Sequence, residues 1–564
     1  MALPSALLPL RHPLFRMLWT ANVVVSLGVW MQNTGAGWLM TSLDPDPLVV
    51  SMVQAATILP IFLLALPAGA IADIIDRRLF ILCTQAWMLV AASVLAILTY
   101  TDHMTSWGLL ALTFSIGIGT AMNAPAWGSV MAESVPRHDL AQAIALNGVG
   151  FNLARAIGPA LAGFLVLLAG PSFAFALNAI SYLAIVAVLL SWHRRHRASK
   201  LPREHFMSAM RVGVRFVRFT PVMRAAMIRS AAFYGPASAP WALLPLIVHD
   251  ELHLGAGTFG ALLGLMGAGG VTSGLVLPQI RARLSRGNTV LASMLSSGAG
   301  MALLAIAPHW SFAAVAMVLF GVGWVAASSV IQSAAQLSAP PWVRARALAI
   351  YQLASNGAMV AGTFFWGWLG RVIGLSHVMM VATAAFFLCC LLARRFSLDT
   401  ENDSRPAGAA AAPAPPTPEA VAPELVSVVE EARTRVLEWQ KYTIAEPDRE
   451  TFLTVMAEVR DARGRAGAVN WHLYEDVAHP EGWIEIWSVE TWTDHLREAM
   501  RTSETDRAAL ARAQALHIGD PIQPARYLAV HPHRLPAPPH PPARPWHAPH
   551  ALASPPPPPL PSNP

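Results

Sequence analysis

Charge is scarce in this 564-residue chain: 13% of its residues are charged, against 54% that are hydrophobic. Soluble globules carry about a quarter charged residues, so a single water-soluble globule is excluded. Cysteine is equally sparse. Cys83, Cys389 and Cys390 all lie in apolar runs, without the paired spacing that a structural zinc site or a disulfide framework needs. The sequence has no P-loop, which removes ATP-driven chemistry of that kind. No Asp or Glu falls in the middle of an apolar run, Glu133 being nearest and sitting at a run's end; a proton relay inside a membrane uses such a carboxylate. The net charge of +6 comes from Arg clusters between apolar runs, a pattern that orients a membrane protein and does not grip nucleic acid.

Long apolar runs are what the chain does have. Crossing about 30 Å of hydrocarbon takes roughly 20 helical residues, and twelve stretches of that length follow one another from Phe15–Met40 to Ser376–Ala393. The first follows Arg11 and Arg16, exceeds a signal-peptide core and lacks a small-residue cleavage pattern, so it is expected to remain as a span. Arg77, Arg78, Arg137, the basic 194–224 segment, Arg281, Arg283, Arg286, Arg344, Arg346, Arg394 and Arg395 fall on one side with the N-terminus, while the opposite loops carry no Lys or Arg until Arg371. Both termini are therefore expected in the cytoplasm, and the protein in the inner (plasma) membrane.

The halves repeat. A shift of 204 residues pairs Gly117 and Gly119 with Gly321 and Gly323, Pro136 with Pro340, Asn152 with Asn356, and Gly158 and Gly163 with Gly362 and Gly367, without a gap. Such a register favours two parallel six-helix halves. After Ala393 the pattern changes to an Ala/Pro-rich linker, then to an alternating strand Val436–Ala445, a helix Pro447–Arg465, strands Ala468–Asp476 and Trp483–Val489, one helix Thr491–Leu516 and a strand Ala525–Val530. This βαββαβ order predicts a ferredoxin-like sandwich. The expected organisation is an N-terminal half (1–192), a basic cytoplasmic linker (193–224), a C-terminal half (225–396), an Ala/Pro-rich linker (397–425), a soluble ferredoxin-like domain (426–530) and a Pro-rich tail without fixed structure (531–564).

Between the second and third spans stands Gly69-Ala-Ile-Ala-Asp73-Ile-Ile-Asp76-Arg77-Arg78, which resembles the G-x-L-A-D-R-x-G-R-R signature of major facilitator transporters. Ile74 replaces a basic residue and Asp76 the second glycine. The resemblance implies a cytoplasmic gate; the plainer reading is an orienting charge cluster. Gly117-Ile-Gly119 through Asn123-Ala-Pro125, Ala145-Leu-Asn147, Asn152-Leu-Ala-Arg155 and Ser26-Leu-Gly28-Val-Trp30-Met-Gln32 resemble the transmembrane secretion effector branch of that superfamily, which is similar to the enterobactin exporter. That resemblance implies a major facilitator fold of all-α membrane helices and alternating-access efflux of a small organic solute, siderophore-like or drug-like, without a cofactor or catalytic residues. Gly158-Pro159 and Gly163 resemble the G-P-x-x-G-G motif of exporters, with Phe164 at its last glycine; helix packing alone also accounts for them.

Arg155 lies about midway along the fifth span, where an unpaired charge costs roughly 3 kcal/mol or more. Asn152 and Asn147 share its broad helical face, and Gln32 and Asn33 of the first span are its candidate partners. These five residues are the expected substrate path; the alternative is a structural Arg bonded to carbonyls of a neighbouring helix. In the soluble domain, Asn470-Trp471 and Glu485-Ile-Trp487 through His495 resemble dimeric α/β-barrel monooxygenase-like domains. His472, Trp487 and His495 are the residues such a pocket would use, while core packing explains the tryptophans as well. Self-association or regulation is the expected role of this domain, and a membrane-anchored enzyme or sensor is the rival reading of the whole chain. The tail histidines lack ligand spacing, so no metal site is expected.

Overall fold

The computed structural model describes residues 5–74, 76–191, 206–340, 342–398, 435–522 and 524–529. Nearly all of the expected Ala/Pro-rich linker and the whole Pro-rich tail lie outside these residues. Six long helices come first: α1 Pro13–Leu43, α2 Pro47–Ile74, α3 Arg77–Tyr100, α4 Ser106–Glu133, α5 Leu140–Ala169 and α6 Pro171–Ser191. A shorter α7, Phe206–Phe219, precedes α8 Pro221–Leu246, α9 Ala256–Arg281, α10 Arg286–Ala305, α11 Trp310–Ser338, α12 Arg344–Ile373 and α13 Leu375–Ala393. Their starts follow capping chemistry. Proline opens α1 and α8, and Asp76, Thr105 and Ser285 accept the backbone N–H of Leu79, Gly108 and Asn288.

Eleven of the described helices are long and apolar enough to cross a membrane. Helix α12, expected from the sequence as a further span, is 30 residues long, carries Arg344, Arg346 and Arg371 near its ends and packs along α2 and α8. The duplication read from the sequence reappears in the backbone. Helices α5 and α12 are 30 residues each, offset by the same 204 positions, and each ends on a glycine, Gly170 (φ 81°, ψ 170°) or Gly374 (φ 83°, ψ 162°). Only glycine occupies that region at little cost, and it turns the chain directly into α6 and α13. The halves meet where α5 packs on α9 and α2 on α12. Small residues permit the approach: a Cβ on Gly163 would lie 2.7 Å from the Ala256 carbonyl oxygen and 2.8 Å from the Gly260 Cα.

The segment expected as a plain basic linker contains α7, whose Val212, Phe216 and Val217 are buried while Arg211 and Arg218 face outward. The apolar stripe lies on the C-terminal half, with Gly213 against Arg346 and Ile350 and with the Phe216 and Trp342 rings 6.2 Å apart.

The soluble domain comprises β1 Val436–Thr443, α14 Arg449–Ala466, β2 Asn470–Glu475, β3 Gly482–Val489, α15 Trp492–Arg501, α16 Glu504–Ala515 and β4 Ala525–Leu528. The strands pair antiparallel in the order β2-β3-β1-β4, as a ferredoxin-like sandwich requires. Where the sequence predicts one helix over Thr491–Leu516 there are two. Ser503 breaks it by capping α16 in a reciprocal box with Asp506, an alternative hydrogen-bond set that outcompetes a continuous helix. Tyr442, Phe452, Val459 and Trp483 fill the core beneath the helices.

Candidate functional site

A cavity of about 350 Å³ lies between the two six-helix halves. Its walls are aromatic. Trp30 of α1 packs on Phe151 of α5 and on Trp241 of α8, and Trp241 packs on Trp324 of α11, with ring centroids 5.5–6.3 Å apart. Asn33, Gln54 and Asn356 supply amides, and among the described lining residues none is acidic and Arg155 is the one cation. Its guanidinium reaches α9, because a Cβ on Gly270 would lie 2.9 Å from its Nη2. Its Nε and the indole N–H of Trp241 are buried with no hydrogen-bond partner among the described residues. Two unmet donors in an apolar chamber favour a ligand that brings acceptors or negative charge.

The other path candidates sit differently. Asn33 lines the cavity beside Arg155. Gln32 faces α6, where Asn178 donates to its Oε1, so it is no partner of Arg155. Asn147 accepts from Asn22 at 3.1 Å, and Asn152 donates to the Gly148 carbonyl of its own helix at 2.9 Å. Sequence reasoning missed Trp241, Trp324, Gln54 and Asn356. The 204-residue repeat held a signal for one of them, since Asn356 is the counterpart of Asn152.

At the Arg-rich end of the bundle, Arg77 donates to Glu133 at 2.6 Å, tying α3 to α4, and Arg78 donates to the Leu189 and Leu190 carbonyls at 2.7 and 3.1 Å. A cation at the C-terminus of α6 complements its macrodipole. Asp76 caps α3. The surroundings of Gly69 and Asp73 lie outside the described residues. Gly158 meets α1, where a Cβ would lie 2.6 Å from the Trp30 Cβ, and a Cβ on Gly260 of α9 would lie 2.5 Å from the Pro159 carbonyl oxygen. At the opposite end the halves are joined by an ion pair, Asp46 to Arg371 at 3.2 Å, and by Trp38 stacked on Phe259 with centroids 5.9 Å apart.

The soluble domain buries a charged cluster that the alternating strand pattern hid among core positions. Arg463 pairs with Glu485 at 3.2 Å and Glu498 at 2.9 Å, and its guanidinium lies 3.6 Å from the Trp487 ring centroid. Burial opposes the Arg463 charge, but the two carboxylates outweigh it and push its pKa up. Burial likewise pushes the Glu498 carboxyl up, against Arg463. For Glu438 burial is outweighed by its bond to His495 at 2.7 Å and by Arg463 and Arg526, which hold it below the usual carboxylate range. Glu438, His495 and Glu498 have ligand atoms within 4.8 Å of one another. Their carboxylates are already matched to Arg526 and Arg463, which makes the group a self-compensated ion network. His472 is exposed on the opposite face of the sheet from His495.

Among curated proteins, the chain is similar to the staphyloferrin A transporter of Staphylococcus aureus (strain NCTC 8325 / PS 47), 24% identical over 52% of this chain and 74% of that one. It is also similar to the enterobactin exporter EntS of Shigella boydii serotype 4 (strain Sb227), 22% identical over 57% and 76%. Among solved structures, the nucleoside transporter NupG superposes with a TM-score of 0.57 at 12% identity, over 68% of this chain and 99% of that one, which shows the fold. The family described as transmembrane secretion effector matches residues 4–533. Two six-helix halves around an aromatic chamber are what that match leads one to find, and the chain belongs to this family of major facilitator efflux transporters.

Proposed function

We propose that the cargo is an anionic organic solute with aromatic or other flat apolar groups, carried outward through the central cavity with Arg155 as its charge-reading residue. The observation that carries this is the pairing of an unpartnered buried Nε of Arg155 with aromatic walls and, among the described residues, no acidic lining residue. The cost of burying Arg155 is offset when cargo arrives and returns when it leaves, which suits a residue that must bind and release. Asn33 lies on the same path, while Asn147 and Gln32 brace α5 and α6 against α1 around it and Asn152 bonds within α5. The names of the two relatives support a siderophore-like cargo. Gly69, Asp73, Asp76, Arg77 and Arg78 form the cytoplasmic gate, and Pro159 and Gly163 lie on the small-residue seam on which the halves move, with Gly158 seating α5 on α1. Both termini lie in the cytoplasm, in keeping with the Arg bias of the loops.

A second role belongs to the soluble domain. One sheet face carries Leu437, Trp439, Ile484, Ile486, Tyr474 and Tyr527 with no helix over it among the described residues, and Leu437, Tyr474 and Tyr527 are 38%, 52% and 53% exposed. An apolar face of this kind suits self-association with the same face of a second copy.

The test compares metabolites in the medium of a deletion strain complemented with wild type or with Arg155→Ala at equal membrane abundance. The expected result is an anionic, ring-bearing compound restored by wild type and reduced at least about tenfold in the variant, the loss of one charged hydrogen-bond partner. Equal restoration by both would remove Arg155 from the path.

A further inference from the structure

A second cavity lies where the soluble domain rests on the transporter. It measures about 390 Å³ and is lined by Arg218 and Phe219 at the end of α7, Arg224 in the first turns of α8, and Arg460 and Asp461 of α14. Three guanidiniums therefore face one carboxylate. Arg460 and Asp461 satisfy each other at 3.0 Å, whereas Arg218 and Arg224 have no ion pair among the described residues. Two positive charges are left uncompensated in one concave site. The placement of Arg224 is itself unfavourable without an anion, since a cation near a helix N-terminus opposes the macrodipole. Between them Thr220 is buried, and its hydroxyl has no partner among the described residues.

The site is built by contacts that fix both of its walls. Arg465 of α14 donates to the Phe219 carbonyl at 3.1 Å and to Asp506, and Arg215 of α7 donates to the Gly467 carbonyl at 2.7 Å and to Glu490 at 3.0 Å. A Cβ on Gly464 would lie 2.5 Å from the Phe219 ring, so the glycine lets that ring lie flat against α14. Because α8 enters its membrane span just after Pro221, the cavity stands at the level of the headgroups on the Arg-rich side.

We infer that this seam is a binding site for a phosphate-bearing anion, held by Arg218, Arg224 and Arg460, which fastens the soluble domain to the C-terminal half. Phosphate suits the geometry, since each guanidinium offers a fork of donors to its oxygens. The same chemistry is offered by an anionic phospholipid headgroup at the membrane surface and by free inorganic phosphate.

The experiment uses the full chain in phosphatidylcholine nanodiscs and follows hydrogen exchange of α7 and α14 peptides as phosphatidylglycerol is incorporated or inorganic phosphate is added. Protection by phosphatidylglycerol alone identifies a lipid site, and protection by inorganic phosphate identifies a free-anion site. Either must weaken about fivefold for each guanidinium removed through Arg218→Gln, Arg224→Gln and Arg460→Gln. Asp461→Asn, which leaves Arg460 without its neighbour, is expected to strengthen protection. Arg281→Gln with Arg283→Gln, on the same membrane side but away from the seam, is expected to change nothing. The inference fails if neither probe protects, if protection survives the triple substitution, or if the Arg281/Arg283 control loses it equally.

Discussion

The carboxylate of Asp46, just ahead of α2, meets the guanidinium of Arg371, in the last turn of α12, at 3.2 Å. Arg371 is the lone basic residue that the sequence places on the outer loops, and it is spent on joining one half to the other. The pair is partly exposed, with side-chain exposures of 61% for Arg371 and 24% for Asp46, so its worth is about 0.2–1 kcal/mol. Asp46→Asn keeps a side chain able to cap Leu48 and removes the charge. With the native cysteines replaced and Thr34→Cys as reporter, alkylation from outside by an impermeant maleimide is expected to rise up to about fivefold. The charge reversal Asp46→Arg with Arg371→Asp restores the slow rate. An unchanged rate in Asp46→Asn would mean that the pair does not close the outer end.

Gly170 and Gly374 hold a backbone conformation that a Cβ strains. Gly170→Ala or Gly374→Ala is expected to destabilise the bundle by about 1–3 kcal/mol, read as a lower unfolding temperature in detergent. Space is not the issue, because nothing lies within 4 Å of a Cβ at either position. Melting curves that coincide with wild type would show the turn to be relaxed.

The seat of the soluble domain depends on Arg215 and on the bare backbone of Gly464. Arg215→Glu places like charge beside Glu490, and Gly464→Val drives a side chain into Phe219. Each is expected to speed protease cleavage within α7 about tenfold while leaving α14 itself folded, through loss of a part-buried charge pair in the first and overpacking against Phe219 in the second. Cleavage at the wild-type rate would mean that these contacts do not hold the domain.

The buried cluster predicts opposite pH limbs. Glu438 has a folded pKa below its unfolded value, so its stabilising contribution is complete above about pH 4.3 and drains as pH falls through the folded value. Glu498 has a raised folded pKa, so its contribution is present at low pH and lost as pH rises through that value. Pulse proteolysis of the soluble domain in the full chain should therefore show an acid limb that flattens in Glu438→Gln and persists in Glu498→Gln. Parallel acid limbs in wild type and Glu438→Gln would refute the assignment.

The membrane part was legible because lipid imposes length and apolarity on each span. The gapless shift of 204 residues even anticipated the matching ends of α5 and α12. Other features left weaker marks. Helix α7 reads as a basic linker because its Arg residues dominate the composition, whereas its stripe of Val212, Phe216 and Val217 shows only at a 3.6-residue period. The Arg463 cluster was hidden because buried ions on a strand alternate just as apolar residues do: Glu438 shares a face with Val436 and Tyr442. Arg155 was found from its depth alone. Its aromatic chamber was not, because Trp30, Trp241 and Trp324 come from three helices whose meeting no local pattern records.

The seat of the soluble domain lies on α7 and on Trp342, whose ring sits 5.0 Å from the Arg501 guanidinium, and both rest against the C-terminal half. A rocking of the two halves therefore carries a body of rigid secondary structure outside the spans along with one of them. That body lengthens the arm through which a small rotation in the membrane is expressed. A fluorophore on its exposed sheet face, paired with one at the end of α6, turns the transport cycle into a distance that can be watched one molecule at a time.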